Sequence, residues 1–119
     1  MSPNSPSAKP GGLSRSARQS RLFAALGDET RLALVRKLSS GQPSSITQLA
    51  SGSLITRQAI SKHLRVLEHA GIARAVRHGR ESLYELNPRP IDDLRRYLDS
   101  VSSAWDKSLA RLKAFVESD

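Results

Sequence analysis

The sequence predicts a mainly α-helical domain that carries one small β-hairpin, and three observations predict it. Apolar residues recur at helical spacing in five successive stretches, most of them opened by a capping residue. Between residues 72 and 86 the period changes to short apolar runs that flank a polar centre. The chain has 119 residues, enough for one domain with one modest core and too few for two large ones.

The opening MSPNSPSAKPGGLS is rich in Ser, Pro and Gly with almost nothing to bury, so residues 1–16 read as a flexible basic arm. Its Lys9 and Arg15 suit nonspecific contact with phosphate. A short helix follows over Ala17 to Leu26, with Leu22, Phe23 and Leu26 on one side. Asp28 is the N-cap expected for a second helix in DETRLALVRKLSS, where Leu32, Val35 and Leu38 share a face and Gly41 and Pro43 end it.

In SSITQLAS, Ser45 and Gln48 have the spacing of a capping box, which predicts a two-turn helix with Ile46, Leu49 and Ala50 inward. Gly52 closes it. Ile55, Thr56 and Ile60 then occupy the N′, N-cap and N4 positions of a fourth helix, the arrangement of a hydrophobic staple. Two helices this close together make a helix-turn-helix candidate. After Gly71, the stretch IARAVRHGRESLYEL predicts a hairpin that turns at His78-Gly79 and carries Arg74, Arg77, His78 and Arg80 around its tip.

Asn87-Pro88 and Pro90 introduce the last helix, and Asp92 and Asp93 suit the positive end of its dipole. Ile91, Leu94, Leu98, Val101, Trp105, Leu109, Leu112 and Val116 recur at steps of three and four, which lays a seam along its whole length. At 1.5 Å per residue, about 26 residues reach roughly 39 Å, longer than so small a domain covers alone. A second copy of the chain is the simplest cover. The expected organisation is therefore an arm at 1–16, a helix-turn-helix domain with its hairpin at 17–88 and a dimerisation helix at 89–119.

Charge separates partner from scaffold. The formal net charge is +8, and residues 1–27, 28–55, 56–80 and 81–119 contribute +4, +1, +5 and −2. So large an excess makes a polyanion the first partner to consider. The positive block at 56–80 contains TRQAISKHLRVLEHAGI, in which Ile60, Leu64 and Leu67 face inward while Arg57, Ser61, Lys62, Arg65 and Glu68 lie opposite. An ordinary surface helix mixes signs to gain i,i+4 pairs, yet this one delays its only acid to the third turn. Thr56, Arg57, Gln58, Ser61 and Lys62 are of the types that hydrogen-bond base edges and phosphates. The helix is expected to enter the major groove of double-stranded DNA, with the hairpin as a wing on the adjoining backbone.

These residues carry a resemblance. The chain resembles the ArsR-type winged helix-turn-helix repressors through LGDETRLALVRKL at 26–38, ITQLA at 46–50, TRQAISKHLRVLEHAGI at 56–72 and VRHGRESLYEL at 76–86. The resemblance implies a homodimer through the first and last helices, with Leu22 joining Leu94, Leu98, Val101, Trp105, Leu109 and Leu112 at the contact. It implies groove contacts from Thr56, Arg57, Gln58, Ser61 and Lys62, and wing contacts from Arg77 and Arg80; Arg65 on the same helix face and His78 at the hairpin tip join these sets by position. It also implies repression at an inverted-repeat operator. One departure lies in the turn, where relatives place an apolar residue and then a small one and this chain has Ser53-Leu54.

Many relatives sense metals through Cys pairs or through His and carboxylate ligands. Here there is no cysteine, which removes disulfides and thiolate metal sites, and the terminal helix has no His. No metal and no cofactor are expected. His63 reads as a packing or hydrogen-bonding residue, His69 as a helix-end residue and His78 as a wing residue, without zinc spacing among them. Trp105 belongs to the seam, with a ligand pocket between dimer helices as its alternative. The ending WDKSLARLKAFVE resembles that of a subgroup without metal sites, which leaves room for a small-molecule inducer of unspecified chemistry.

No apolar run reaches the length of a membrane span and no apolar signal core opens the chain, so a cytoplasmic protein is expected. An enzyme is not: no Gly-rich phosphate loop, metal constellation or nucleophile set is present. The alternatives are a nonspecific nucleic-acid-binding protein and a protein-interaction module that keeps a winged shape. The recognition helix bears no aromatic platform of the kind RNA modules display.

Overall fold

In the computed structural model, which describes residues 14–118, seven elements follow in order. They are α1 (Arg15–Leu26), α2 (Glu29–Leu38), α3 (Ile46–Ala50), α4 (Arg57–His69), β1 (Ala73–His78), β2 (Glu81–Leu86) and α5 (Pro88–Glu117). The mainly α chain with one hairpin is thus the observed fold. Of the arm expected at 1–16, residues 1–13 lie outside the described residues, whereas Ser14 caps α1 and Arg15 and Ser16 belong to that helix.

Local chemistry sets most of the boundaries. Ser14 caps α1 by accepting the Ala17 N–H, so the helix begins at Arg15, two residues before the expected start. Asp28 Oδ2 accepts the Arg31 N–H and opens α2. Ser45 and Gln48 form the full capping box of α3, with Ser45 Oγ accepting the Gln48 N–H at 3.1 Å and Gln48 Oε1 accepting the Ser45 N–H at 2.8 Å. Thr56 caps α4 through the Ala59 N–H. Asn87 caps α5 with Pro88 at its first position, which moves Asp92 and Asp93 out of the first turn and makes their expected dipole role a minor one.

One core joins these elements: Leu22 and Ala25 of α1, Leu34 and Leu38 of α2, Leu49 of α3, Ile60, Leu64 and Leu67 of α4, Ile72 and Ala73 at the wing's base, and Leu94 of α5. Two faces differ from expectation. On α2 the buried pair is Leu34 and Leu38, and Leu32 is exposed, because the helix packs against α1, α4 and β2 with the face that carries position 34. On α1 Ala25 replaces Phe23 inside, and the Phe23 ring instead meets Tyr97 of α5 edge-on at 6.0 Å.

The hairpin is antiparallel, pairing Ala73 with Leu86 through to His78 with Glu81. The turn is therefore Gly79-Arg80, one residue beyond the expected dipeptide, and Gly79 takes the positive φ of 66° that a two-residue turn demands of its first central residue. The sheet is extended by an isolated bridge: Ser44 and Tyr84 exchange backbone hydrogen bonds at 2.9 and 2.8 Å. That bridge fastens the wing to the segment that precedes α3.

Helix α5 has 30 residues, so it runs for about 45 Å, and the molecule measures 68 Å along its longest axis. Leu94 is its only buried side chain. Of the residues expected at a dimer contact, Leu22 and Leu94 lie in the protomer's own core, where α1 crosses α5. Leu98, Trp105, Leu109 and Leu112 are 50 to 63 % exposed, and Val101 is half-buried.

Candidate nucleic-acid interface

The candidate reading surface is built on the α3–turn–α4 unit, and three sets of polar contacts, one of them inside the turn, hold that unit in place. Lys37, at the end of α2, donates from Nζ to the Leu49 carbonyl at 3.0 Å, which satisfies a terminal carbonyl of α3. In the turn, the Ser53 N–H reaches the Ala50 carbonyl and Ser53 Oγ accepts the Ile55 N–H at 3.0 Å. Gly52 holds a φ of 74°, so the left-handed position of the turn falls on a glycine just before Ser53-Leu54. Leu54 itself is fully exposed beside the start of α4.

The third set holds the back of α4. Arg31 donates from Nε to the Ala25 carbonyl at 2.6 Å and from a terminal nitrogen to the Ala24 carbonyl at 3.4 Å, closing the end of α1. Its other terminal nitrogen lies 3.2 Å from His63 Nδ1 on α4, and Asp28 Oδ2 lies 3.7 Å from the same atom. In the tautomer that carries its hydrogen on the other ring nitrogen, Nδ1 accepts from Arg31. The Asp28 carboxyl is held below its ordinary value, chiefly by the Arg31 N–H it accepts, with the nearby His63 and Arg31 charges adding to this against some desolvation. His63 is thus the hydrogen-bonding residue expected of it. Arg31 was not foreseen, and nothing local distinguishes it from a surface arginine, since its role depends on how α1, α2 and α4 cross.

With its apolar side sealed, α4 presents the opposite side to solvent. At 3.6 residues per turn, Arg57, Gln58, Ser61, Lys62 and Arg65 fall within an arc of about 140°. All are exposed except half-buried Ser61, and Thr56, Gln58, Ser61, Lys62 and Arg65 border one open depression. There is no acid in the first turn of the helix. Thr56 uses its oxygen as the cap acceptor, which leaves its hydroxyl proton to donate outward. Arg57 sits at the edge of the arc next to the core stripe and donates to Thr47 Oγ1 on α3 at 3.3 Å, so its guanidinium is partly positioned before any ligand arrives. Free backbone N–H groups and the positive dipole end at the same terminus favour phosphate.

The wing divides its charges by height. Arg77, His78 and Arg80 lie at the distal end and are exposed. Arg74, expected near the tip, lies near the base instead, because the turn comes at Gly79-Arg80 and places it opposite Glu85; its Nε meets Glu85 Oε2 at 2.7 Å. His69 ends α4 and is exposed. Among the described residues no group of three His, Asp or Glu side chains could hold a metal ion, and no helix is long and apolar enough to cross a membrane.

Comparison with known proteins gives the following. A helix-turn-helix domain model matches residues 26–76. The HTH-type transcriptional regulator Rv2034 of Mycobacterium tuberculosis is 32% identical over 99 residues, spanning 83% of this chain and 89% of that one. The HTH-type transcriptional repressor SmtB of Mycobacterium tuberculosis is 30% identical over 88 residues, spanning 74% of this chain and 63% of that one. Among solved structures, an ArsR-like transcriptional regulator from Rhodococcus sp. RHA1 superposes with a TM-score of 0.75 at 35% identity, covering 87% of this chain and 97% of that one.

Proposed function

The chain belongs to the ArsR-type winged helix-turn-helix regulators, DNA-binding transcriptional proteins and not enzymes, and from that premise we propose that it is a cytoplasmic, homodimeric repressor of an inverted-repeat operator. The observation that carries the proposal is the division of α4: three core residues sealed on one side, and on the other an arc of exposed Arg57, Gln58, Lys62 and Arg65 and half-buried Ser61, with Thr56 at its start. Those side chains can meet base edges at the helix start and phosphates along it. Arg77, His78 and Arg80 on the wing add backbone contacts, which raise affinity more than specificity.

The dimer rests on the apolar face of α5 beyond Leu94. Covering Leu98, Val101, Trp105, Leu109 and Leu112 with the same residues of a second copy, and with α1, satisfies both copies at once, as two-fold contacts do. Two recognition helices fixed about 34 Å apart would enter successive major grooves, and the operator's two-fold symmetry would follow from the protein's. Repression follows if the bound dimer occludes a promoter. The name of SmtB as a repressor supports that direction.

Selection from a random duplex library with the purified protein tests the proposal, followed by Arg57→Ala and Gln58→Ala. Enrichment of one inverted repeat is expected, with each variant losing roughly 1–3 kcal/mol on that sequence and far less on scrambled DNA. Equal losses on both would make α4 a charged surface and not a reading head, which is the nonspecific binder's behaviour.

A further inference from the structure

Away from the DNA-reading arc, the N-terminal half of α1, the last turn of α4 and the first turns of α5 line an open cleft of about 840 Å³. That volume falls in the range of small-molecule sites, about 300–1,000 Å³. We propose that this cleft binds a small organic anion with an aromatic or acyl body, and that its occupancy changes the affinity of α4 for DNA. The second half of that statement rests on the repressor function proposed above; the first half does not.

The chemistry of the walls selects the ligand class. Among the described residues, Arg15, Arg18 and Arg21 of α1 and Arg96 of α5 line the cleft together with two carboxylates, Glu68 and Asp93. Asp93 is already engaged, since its Oδ1 lies 3.6 Å from Arg96. Leu22, Pro90 and Tyr97 add apolar surface to the same cleft. Guanidinium groups beside an aromatic ring and aliphatic carbons fit a carboxylate attached to an apolar body better than they fit a bare inorganic ion.

Arg15 is also badly placed for the helix itself. It stands at the first position of α1, where the dipole favours an acid, and the first turn contains none. A bound anion relieves that penalty. The DNA held by α4 is not that anion, because the cleft meets α4 at Glu68, His69, Ala70 and Gly71, the end opposite its base-reading residues. The 13-residue helix puts about 20 Å between the two ends.

Position explains the coupling. A ligand that draws α1 and α5 toward the last turn of α4 shifts the recognition helix relative to the helices proposed to hold the dimer. Neither the DNA contacts nor the dimer seam need be touched directly.

The test is calorimetric titration of the full chain with benzoate, octanoate and inorganic phosphate, repeated on the Arg15→Ser/Arg21→Ser double variant. The site predicts saturable binding of at least one carboxylate, one per protomer, with phosphate at least tenfold weaker and the double variant weakened at least tenfold. No saturation by either carboxylate up to about 10 mM, equal binding of phosphate, or undiminished binding by the variant each overturns it. DNA affinity is measured on the same samples with and without saturating carboxylate, and a change of at least about fivefold is expected. An unchanged DNA affinity overturns the coupling and leaves the site. Absence of any selected DNA sequence overturns the repressor proposal instead, and calorimetry still decides the site.

Discussion

Helices α4 and α5 are both amphipathic, but the fold leaves opposite faces of them bare. In α4 the stripe of Ile60, Leu64 and Leu67 is sealed within the protomer, and the polar arc, rich in Arg, Lys, Gln and Ser, is open. In α5 only Leu94 is sealed, and beyond it Leu98, Trp105, Leu109, Leu112, Phe115 and Val116 stay exposed among charges of both signs. A bare cationic arc and a bare apolar seam call for different partners. The first gains most from a polyanion that releases counterions on binding, and the second from any surface that removes it from water.

The largest effect comes from breaking the sealed face. Leu67→Ala removes a side chain with 0% exposure at the centre of the core, and it should cost about 2–5 kcal/mol in denaturant unfolding. For a domain of this size that is much of the total stability. The same substitution at Leu112 should cost the protomer almost nothing, because the residue is 58% exposed. If the two variants unfold alike in dilute solution, α5 is covered by something within its own chain and the contrast fails.

The next test breaks the bare seam. Leu109→Glu with Leu112→Glu should leave the circular dichroism spectrum of the protomer intact and shift sedimentation from dimer to monomer. A buried leucine is worth about 1.5–3 kcal/mol, so the dimer constant should weaken at least about a hundredfold. Affinity for an inverted repeat should fall with it, while affinity for a half-site falls little. A dimer that survives both substitutions would place the contact elsewhere.

How far the sequence could anticipate this contrast depended on whether the signal was local. The capping box of Ser45 and Gln48, the Thr56 cap and the stripe of α4 are read within a few residues, and each appears in the fold as expected. The inward face of α2 was not legible: in RLALVRKL, apolar residues at 32, 34 and 35 cover more than one face, and only tertiary packing selects Leu34 over Leu32. The Ser44–Tyr84 bridge and the Arg31–His63 contact join residues 40 and 32 positions apart, which no periodicity encodes. The seam of α5 was visible as a pattern, but which part of it the protomer covers is a matter of where α1 ends its crossing.

The smallest predicted effects lie in the wing, where two arginines of equal charge should behave differently. Arg80 sits in the turn, exposed, with no carboxylate opposite it in the strand register. Arg74 is fixed to Glu85 at 2.7 Å near the base. Arg80→Ala should therefore weaken binding to selected and scrambled duplexes by similar factors and reduce the slope of log affinity against log salt by about 0.9, the value for one phosphate contact on duplex DNA. Arg74→Ala should leave that slope unchanged, because its charge is already compensated by Glu85 and the pair is neutral toward a distant phosphate. Its cost should appear in stability instead, and only as about 0–1 kcal/mol, since an exposed pair is largely screened. Were Arg74→Ala to lower the salt slope as Arg80→Ala does, DNA would have to open the Arg74–Glu85 pair on binding, and the wing would meet the backbone along its whole length and not at its tip.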